Sequence, residues 1–225
     1  MKRVLVLQHS EAEYLGLLED HLEGRNIRFT YARPFAAGGG VPSVTGTSDG
    51  LILLGGGPYG LASGHILPSL GPELRLIAAY LDAGLPVLGF GLGALLLAAA
   101  AGGGAEEAPL RFTIETARAE PDSGLPPAFP LACYLRDAPS LRDDWPVLAR
   151  GAGGTPLIFA ARDNALGFLG HPGMKRGMAE DLIMEFADTP EDCPEALAAL
   201  AAAQVEVAES LGPLMVWLVA RMGWM

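Results

Sequence analysis

The chain has 225 residues, half of them hydrophobic, which is enough to bury the core of one α/β domain. Fifteen Lys and Arg against 26 Asp and Glu give a net charge of −11, which argues against nucleic acid or an anionic membrane as a partner. Two cysteines exclude a disulfide scaffold and a cysteine-rich metal site, and we predict no metal and no cofactor. Because no apolar run suits a signal peptide or a membrane span, we predict a cytoplasmic protein.

The first half of the chain alternates short apolar runs with amphipathic segments. Four runs are predicted to be strands: residues 4–7, 27–31, 51–54 and 86–89. Those at 4–7 and 51–54 are expected to be buried on both faces. Helices are predicted after the first, third and fourth strands, and residues 36–48, rich in Gly, Ser and Thr, are predicted to form a loop. This order predicts an α/β fold with a mostly parallel, doubly wound central sheet flanked by helices.

The second half of the chain is richer in short strands. Five are predicted: residues 111–119, 130–134, 146–149, 157–161 and 165–169. They are expected to close onto the same core instead of forming a separate domain. The predicted boundaries are therefore 1–188 for the domain and 189–225 for a helical extension packed on it or on a partner.

A strand-to-helix turn at residues 89–93 has the pattern of a nucleophile elbow. In such a turn the flanking glycines allow a tight bend, and the central side chain projects at the top of the sheet. The amides at the start of the following helix can then hold an oxyanion. The central position of this turn is Gly91, which has no side chain.

Three segments resemble the class I glutamine amidotransferases. The sequence PVLGFGLGA at 86–94 resembles their nucleophile elbow, and DGLILLGGGP at 49–58 resembles their oxyanion loop. ALGFLGHPG at 165–173 resembles their last catalytic strand, which usually ends in His-Pro-Glu. The strongest similarity is to stand-alone members that resemble the amidotransferase domain of guanosine monophosphate synthetase. The resemblance implies a flavodoxin-like fold and, for active members, release of ammonia from glutamine for a synthetase partner.

Two of the three catalytic positions of that family are changed in this chain, and His171 alone is retained. The resemblance places the nucleophilic Cys at Gly91, its base at His171 and the orienting acid at Gly173. It also places a glutamine-binding Gln at Leu95. A histidine without a nucleophile and an orienting acid cannot perform acyl transfer. We therefore expect a vestigial triad, no glutamine hydrolysis, and a role as a binding, scaffold or regulatory subunit.

Two other functions stay open at this point. An enzyme with altered chemistry would use His171, Cys133 or Arg136 in the remodelled cleft, where the alternatives are a structural histidine, a buried core cysteine and a surface arginine. A small-molecule sensor would hold a ligand there without turnover. The residues expected to line the cleft remnant are Gly55, Gly56, Gly57, Leu92, Leu95, Cys133 and Arg136.

An apolar segment ends the chain. A helix is predicted from about residue 193 to about Ser210, and Gly212 and Pro213 are expected to break it. Residues 213–225 are apolar nearly all round, so they must be buried. Packing on their own domain, an interface with a partner or in a homo-oligomer, and a membrane-surface anchor stay open. The intersubunit interface is the preferred version, because the core already looks complete without the tail.

Overall fold

The structure is a computed structural model that describes residues 1–43, 46 and 48–225. A nine-stranded sheet forms its centre. In spatial order the strands are β2 (Ile27–Ala32), β1 (Lys2–Leu7), β3 (Gly50–Leu53), β6 (Val87–Phe90), β13 (Ala165–Phe168), β12 (Pro156–Arg162), β11 (Val147–Arg150), β8 (Arg111–Ala119) and β9 (Ala128–Leu135). Two small ribbons pair β4 (Tyr59–Gly60) with β5 (His65–Ile66) and β7 (Gly104–Glu106) with β10 (Ala138–Ser140).

The sheet has a parallel half and an antiparallel half. Strands β2, β1, β3, β6 and β13 run parallel, and each pair from β13 to β9 is antiparallel. Parallel neighbours need long crossovers, which here contain α1 (Leu18–Glu23) between β1 and β2 and α2 (Leu70–Asp82) between β3 and β6. Helix α3 (Leu92–Ala100) follows β6. The predicted α/β fold is confirmed, and the strand-rich second half makes the complete sheet mixed.

Burial on both faces explains the apolar runs of the parallel strands. Along β1, Val4 and Val6 belong to one hydrophobic cluster, which also contains residues of α1 and of the C-terminal helix. Leu7 belongs to a second cluster with residues of α2 and α3. Because successive side chains of a strand point to opposite faces, a strand covered on both sides needs apolar residues at every position.

The predicted loop at 36–48 contains neither helix nor strand among its described residues. Val44, Thr45 and Thr47 lie outside the described residues. The chain re-enters the sheet at β3, where the carboxylate of Asp49 accepts a hydrogen bond from the Arg3 N–H at 2.8 Å. That bond positions β3 beside β1.

Two helices complete the second half of the protein, α4 (Arg176–Glu185) and α5 (Cys193–Arg221). Helix α5 is continuous, so the predicted break at Gly212 and Pro213 is wrong. Proline inside a helix removes one backbone donor and crowds the preceding turn. The neighbouring Leu211 and Leu214 are buried, and burial of such side chains on the sheet offsets that cost.

The C-terminal tail packs on the core of its own chain. The hydrophobic cluster that holds Val4 also contains Leu214, Met215, Leu218, Val219, Met222 and Trp224. The Trp224 indole lies against Gly50 of β3, where an added Cβ would come within 2.8 Å of its nitrogen. The premise that the core is complete without the tail is therefore wrong. An intersubunit contact stays a prediction.

Helix α5 has the length and apolar composition of a membrane span, at 29 residues. Its buried face is nevertheless taken up by protein, since residues such as Leu200, Leu211 and Leu218 belong to the core clusters. A helix that packs within a protein passes the same length and composition test, so this property is weak support for a membrane role.

Candidate functional site

Gly91 forms a sharp turn between β6 and α3. Its φ of 53° and ψ of −118° lie in a region that favours glycine. Its N–H donates to the Phe168 carbonyl at 2.8 Å, which ties the turn to β13. A Cβ added at Gly91 would lie 3.6 Å from both the Gly55 Cα and the Tyr134 carbonyl oxygen, an ordinary contact distance. The elbow geometry is thus present at the predicted position, with room for the first atom of a side chain.

The glycine loop at 55–57 lies beside this elbow and surrounds a buried carboxyl group. Glu13, which is 2% exposed, accepts a hydrogen bond from the Gly57 N–H at 2.6 Å through Oε2. A Cβ on Gly55 would collide with Oε1 of Glu13 and come within 2.6 Å of its Cδ. Position 55 must therefore be glycine for the carboxyl group to fit. Sequence analysis missed Glu13, because a glutamate in a short polar segment after the first strand carries no motif.

A buried ion pair holds the start of the same loop. His9 Nδ1 lies 3.0 Å from the Leu54 carbonyl oxygen and 2.9 Å from that of Gly55, and its Nε2 lies 2.9 Å from Oε2 of Glu73. Because every partner is an acceptor, both ring nitrogens must donate, and the ring is an imidazolium. Burial works against this charge, but Glu73, the Gly55 carbonyl and Glu13 outweigh it and raise the pKa of His9 above its ordinary value.

The carboxyl group of Glu13 has an unusual affinity for its proton. Burial raises its pKa from 4.5 to about 7, and the Glu185 carboxylate acts in the same direction. The Gly57 N–H and the His9 cation lower the pKa but do not outweigh burial. Glu13 is therefore the acidic group of this site whose protonation changes near neutral pH.

Replacing Glu13 by glutamine is expected to remove a loss of stability at rising pH. Between pH 4.5 and about 7 the unfolded chain ionises Glu13 while the folded chain retains the proton, so raising the pH favours the unfolded state. Glu13→Gln does not titrate, and its unfolding free energy should gain about 3 kcal/mol relative to wild type between pH 4 and pH 8. Urea denaturation at a series of pH values measures this, and parallel curves for the two proteins would contradict it.

His171 is fully engaged by the backbone. Its Nε2 lies 2.9 Å from the Tyr14 carbonyl, to which it donates, and its Nδ1 accepts from the Gly173 N–H at 3.1 Å. These partners specify the neutral ring. Burial lowers the pKa of His171 to about 4, against smaller opposing hydrogen bonds. With both nitrogens occupied, His171 has the geometry of a structural histidine.

Gly173 lies where the chain crosses the start of α1. A Cβ at Gly173 would come within 2.6 Å of Cδ1 of Leu18. Its carbonyl accepts from the Leu17 N–H at 3.0 Å. A larger residue at position 173 would therefore require the Leu18 side chain to move.

Cys133 is buried, and the half-buried Arg136 is bound to groups of the same chain. Burial raises the pKa of the Cys133 thiol to about 12, and the Glu115 carboxylate adds to the shift, so thiolate is scarce at neutral pH. The Arg136 Nε donates to the Pro58 carbonyl at 2.9 Å, and its guanidinium also pairs with Asp188. In this geometry neither side chain is presented to a ligand.

The residues expected to line the cleft remnant are mostly buried. Gly55, Gly56, Gly57 and Leu92 cluster at the elbow, with Leu92 against Gly56. Leu95 belongs to the hydrophobic core, Cys133 lies behind Gly170, and Arg136 is half-buried. A separate pocket of about 190 Å³ opens nearby, and its lining includes His9, Phe35, Tyr59 and Ser69.

Comparison with known proteins finds similar solved structures but no matching family model or curated sequence. A glutamine amidotransferase from Methylobacillus flagellatus matches with a TM-score of 0.78 and 20% identity, over 98% of this chain and 95% of that one. A glutamine amidotransferase from Thermotoga maritima matches with a TM-score of 0.74 and 19% identity, over 97% and 98%.

A third solved structure is named as one component of a synthase. It is a putative GMP synthase component from Thermoplasma acidophilum, which matches with a TM-score of 0.59 and 18% identity, over 93% of this chain and 98% of that one. Similarity at these identities establishes the architecture. The chain therefore has a class I glutamine amidotransferase-like α/β fold.

Proposed function

We propose that this chain is a catalytically inactive glutamine amidotransferase-like protein that acts as a binding, scaffold or regulatory subunit. The observation that carries the proposal is the elbow at Gly91. The backbone has the strained turn that presents a nucleophile, with φ at 53°, but the residue there has no side chain to present. Acyl transfer from glutamine needs a nucleophile at this point.

The surroundings of His171 support the same proposal. A general base needs a ring nitrogen that can receive a proton from the nucleophile. Both nitrogens of His171 are instead bonded to backbone groups, those of Tyr14 and Gly173. The position of the orienting acid is filled by Gly173, where a larger residue would have to displace the Leu18 side chain. The two changed triad positions, Gly91 and Gly173, and the bonded ring of the retained His171 are thus mutually consistent.

The other candidate nucleophile has little support. Cys133 is 1% exposed, and its thiol has a pKa of about 12. An activated cysteine instead has a lowered pKa and an accessible sulfur. A function through binding therefore accounts for the site better than altered nucleophilic chemistry does.

We expect the binding partner to be a protein in the cytoplasm. One structural neighbour is named as a component of a synthase, which supports such a role by analogy. Exposed apolar side chains on α4 and α5 offer contact surface, among them Met184 at 79%, Val205 at 69% and Val216 at 58% exposure. Affinity purification from the native host tests this: co-purification of a synthetase or ligase supports the proposal, and recovery of the chain alone opposes it.

The purified protein is not expected to hydrolyse glutamine. Its rate of glutamate release should be at least about 10⁴-fold below that of an active amidotransferase. Gly91→Cys is expected to stay inactive, although the new Cβ fits, because His171 is bonded on both nitrogens and position 173 has no acid. A coupled glutamate-release assay measures this, with an active amidotransferase as positive control and Gly91→Ala as the matched folding control.

Glutamate release by the wild-type protein at a rate near that of the active control would contradict the inactive assignment. Recovery of such a rate by Gly91→Cys alone would contradict the structural role of His171, because it would show that His171 can still serve as a base. Calorimetry with glutamine separates the sensor alternative, since tight binding without turnover would favour a sensor.

A further inference from the structure

Three ionisable side chains are buried at the carboxyl edge of the sheet: His9, Glu13 and Glu73, at 3%, 2% and 0% exposure. His9 and Glu73 form an ion pair, so each compensates the buried charge of the other. Glu13 has no such partner among the described residues, and the hydrogen bond to its carboxyl group comes from the Gly57 N–H. Burial of an ionisable group is unfavourable unless neighbouring groups form hydrogen bonds or ion pairs with it. The glycine loop is the segment that contacts the carboxyl group of Glu13.

The loop is shaped around the carboxyl group. All three of its outer atoms, Cδ, Oε1 and Oε2 of Glu13, lie within 3.0 Å of the place where a Cβ of Gly55 would stand. The Gly57 N–H then donates to Oε2 at 2.6 Å. Gly55 leaves space for the carboxyl group because it has no side chain, and Gly57 donates a hydrogen bond to it. The two ends of the loop therefore contact one carboxyl group.

The segment that carries Glu13 is itself fastened. The Glu13 N–H donates to the hydroxyl of Ser10 at 3.3 Å. The Glu185 carboxylate of α4 accepts from the N–H groups of Glu11 and Ala12, each at 3.0 Å. The segment that precedes Glu13 is thus held by Ser10 and by Glu185 of α4.

The charges around this carboxyl group balance in part. The His9 cation favours the ionised form, and Glu185 opposes it. The Tyr134 hydroxyl is buried without a hydrogen-bond partner among the described residues. Burial raises its pKa, and the Cys193 thiol and the Glu13 carboxylate add to that shift. The site is therefore a polar pocket within the core, filled by a side chain of the same chain.

We propose that residues 55–57 form a carboxyl-binding loop and that Glu13 is its internal ligand. The inference rests on the proposed function, in which this loop no longer serves glutamine hydrolysis. Because the Gly55 Cα lies 3.6 Å from the Cβ position of Gly91, the filled loop is also one wall of the empty elbow. An external ligand of the loop would be a small carboxylate, and it would compete with Glu13 for the same N–H.

Acetate is the matched probe for this site. Glu13→Ala removes Cγ, Cδ and the two carboxyl oxygens, which are the same four heavy atoms as in acetate. The variant is expected to have a lower Tm than wild type, and acetate should raise that Tm saturably by about 3 °C or more. Formate, one atom smaller, and propionate, one atom larger, should raise it less. Chloride at equal ionic strength and the wild-type protein are the controls.

Equal shifts of Tm with acetate and chloride in Glu13→Ala would overturn the proposal, as would equal acetate shifts in variant and wild type. If Glu13→Ala does not fold, the wild-type protein still supplies a test. The amide proton of Gly57 should resonate far downfield and move with pH in NMR spectra, and should lose that titration in Glu13→Gln. A Gly57 signal that is identical in both proteins would reject the contact.

These outcomes are independent of the glutaminase assay. Acetate rescue together with glutamate release would reject the inactive assignment and keep Glu13 as the ligand of the loop. Absence of acetate rescue together with absence of glutamate release would reject Glu13 as the ligand of the loop and keep the inactive assignment.

Discussion

Deletion of residues 213–225 is expected to unfold the protein. The segment contributes six buried side chains to the core: Leu214, Met215, Leu218, Val219, Met222 and Trp224. Full burial of each is worth about 1.5–3 kcal/mol, so their loss is on the order of 10 kcal/mol, comparable with the total stability of a domain. Circular dichroism and urea denaturation of the truncated chain measure the effect.

Two point variants on α5 compare the loss of a buried side chain with the loss of an exposed one. Leu218 is 1% exposed, and Leu218→Ala should lower the free energy of unfolding by about 2–5 kcal/mol. Val216, two residues earlier, is 58% exposed, and Val216→Ala should change it by less than about 0.5 kcal/mol. A truncated protein that still unfolds cooperatively at the wild-type midpoint would refute the prediction. Light scattering on the same samples reports whether the tail also contributes to oligomerisation.

Glu73→Ala is expected to lower the free energy of unfolding by about 3–5 kcal/mol at neutral pH. Glu73 is the carboxylate partner of His9, at 2.9 Å, and both side chains are wholly buried. Removing one partner leaves the other charge in the interior without compensation, or forces the ring to lose its proton and one hydrogen bond. Either outcome weakens the connection between β1, the glycine loop and α2. Chemical denaturation at pH 7 measures the loss.

The control for this variant is a carboxylate of the same type at the surface. Glu180 pairs with Arg176 one helical turn away, with 42% of its side chain exposed, and Glu180→Ala should cost less than about 1 kcal/mol. The double variant of His9 and Glu73 to alanine should lose less than the sum of the single losses, because the uncompensated charge is then absent. Equal losses of unfolding free energy for Glu73→Ala and Glu180→Ala would show that the buried ion pair contributes no more to stability than the exposed one.

The site as a whole combines an elbow turn and a glycine loop with buried polar side chains. The turn at Gly91 and the loop at 55–57 keep the positions that the sequence predicts at the carboxyl edge of the sheet. The groups that meet there are a structural histidine, His171, and an internal acid, Glu13. These side chains hold the site together through backbone contacts, which is consistent with the proposed role in binding.

Local pattern alone determined four of the five parallel strands and the two glycine loops. The runs at 4–7 and 51–54 are apolar at every position because each strand is covered on both faces, and that property is visible in a short window. Gly91 could be located for a similar reason, since a turn between a strand and a helix needs glycines at close spacing. Such signals depend on neighbours in the chain, so no knowledge of the tertiary structure is required.

Only the tertiary structure decided the tail and the polar centre of the site. Helix α5 continues through Pro213 because distant strands bury its apolar face, and local propensity cannot include that contact. His9, Glu13 and Glu73 come from separate segments, and as single polar residues they resemble surface positions in the sequence. Their burial, their hydrogen bonds and the shifted pKa of Glu13 arise only where folding brings the end of β1, the glycine loop and the start of α2 together. Non-local contacts of this kind set the energy of each group, and the order of residues along the chain does not encode them in any short window.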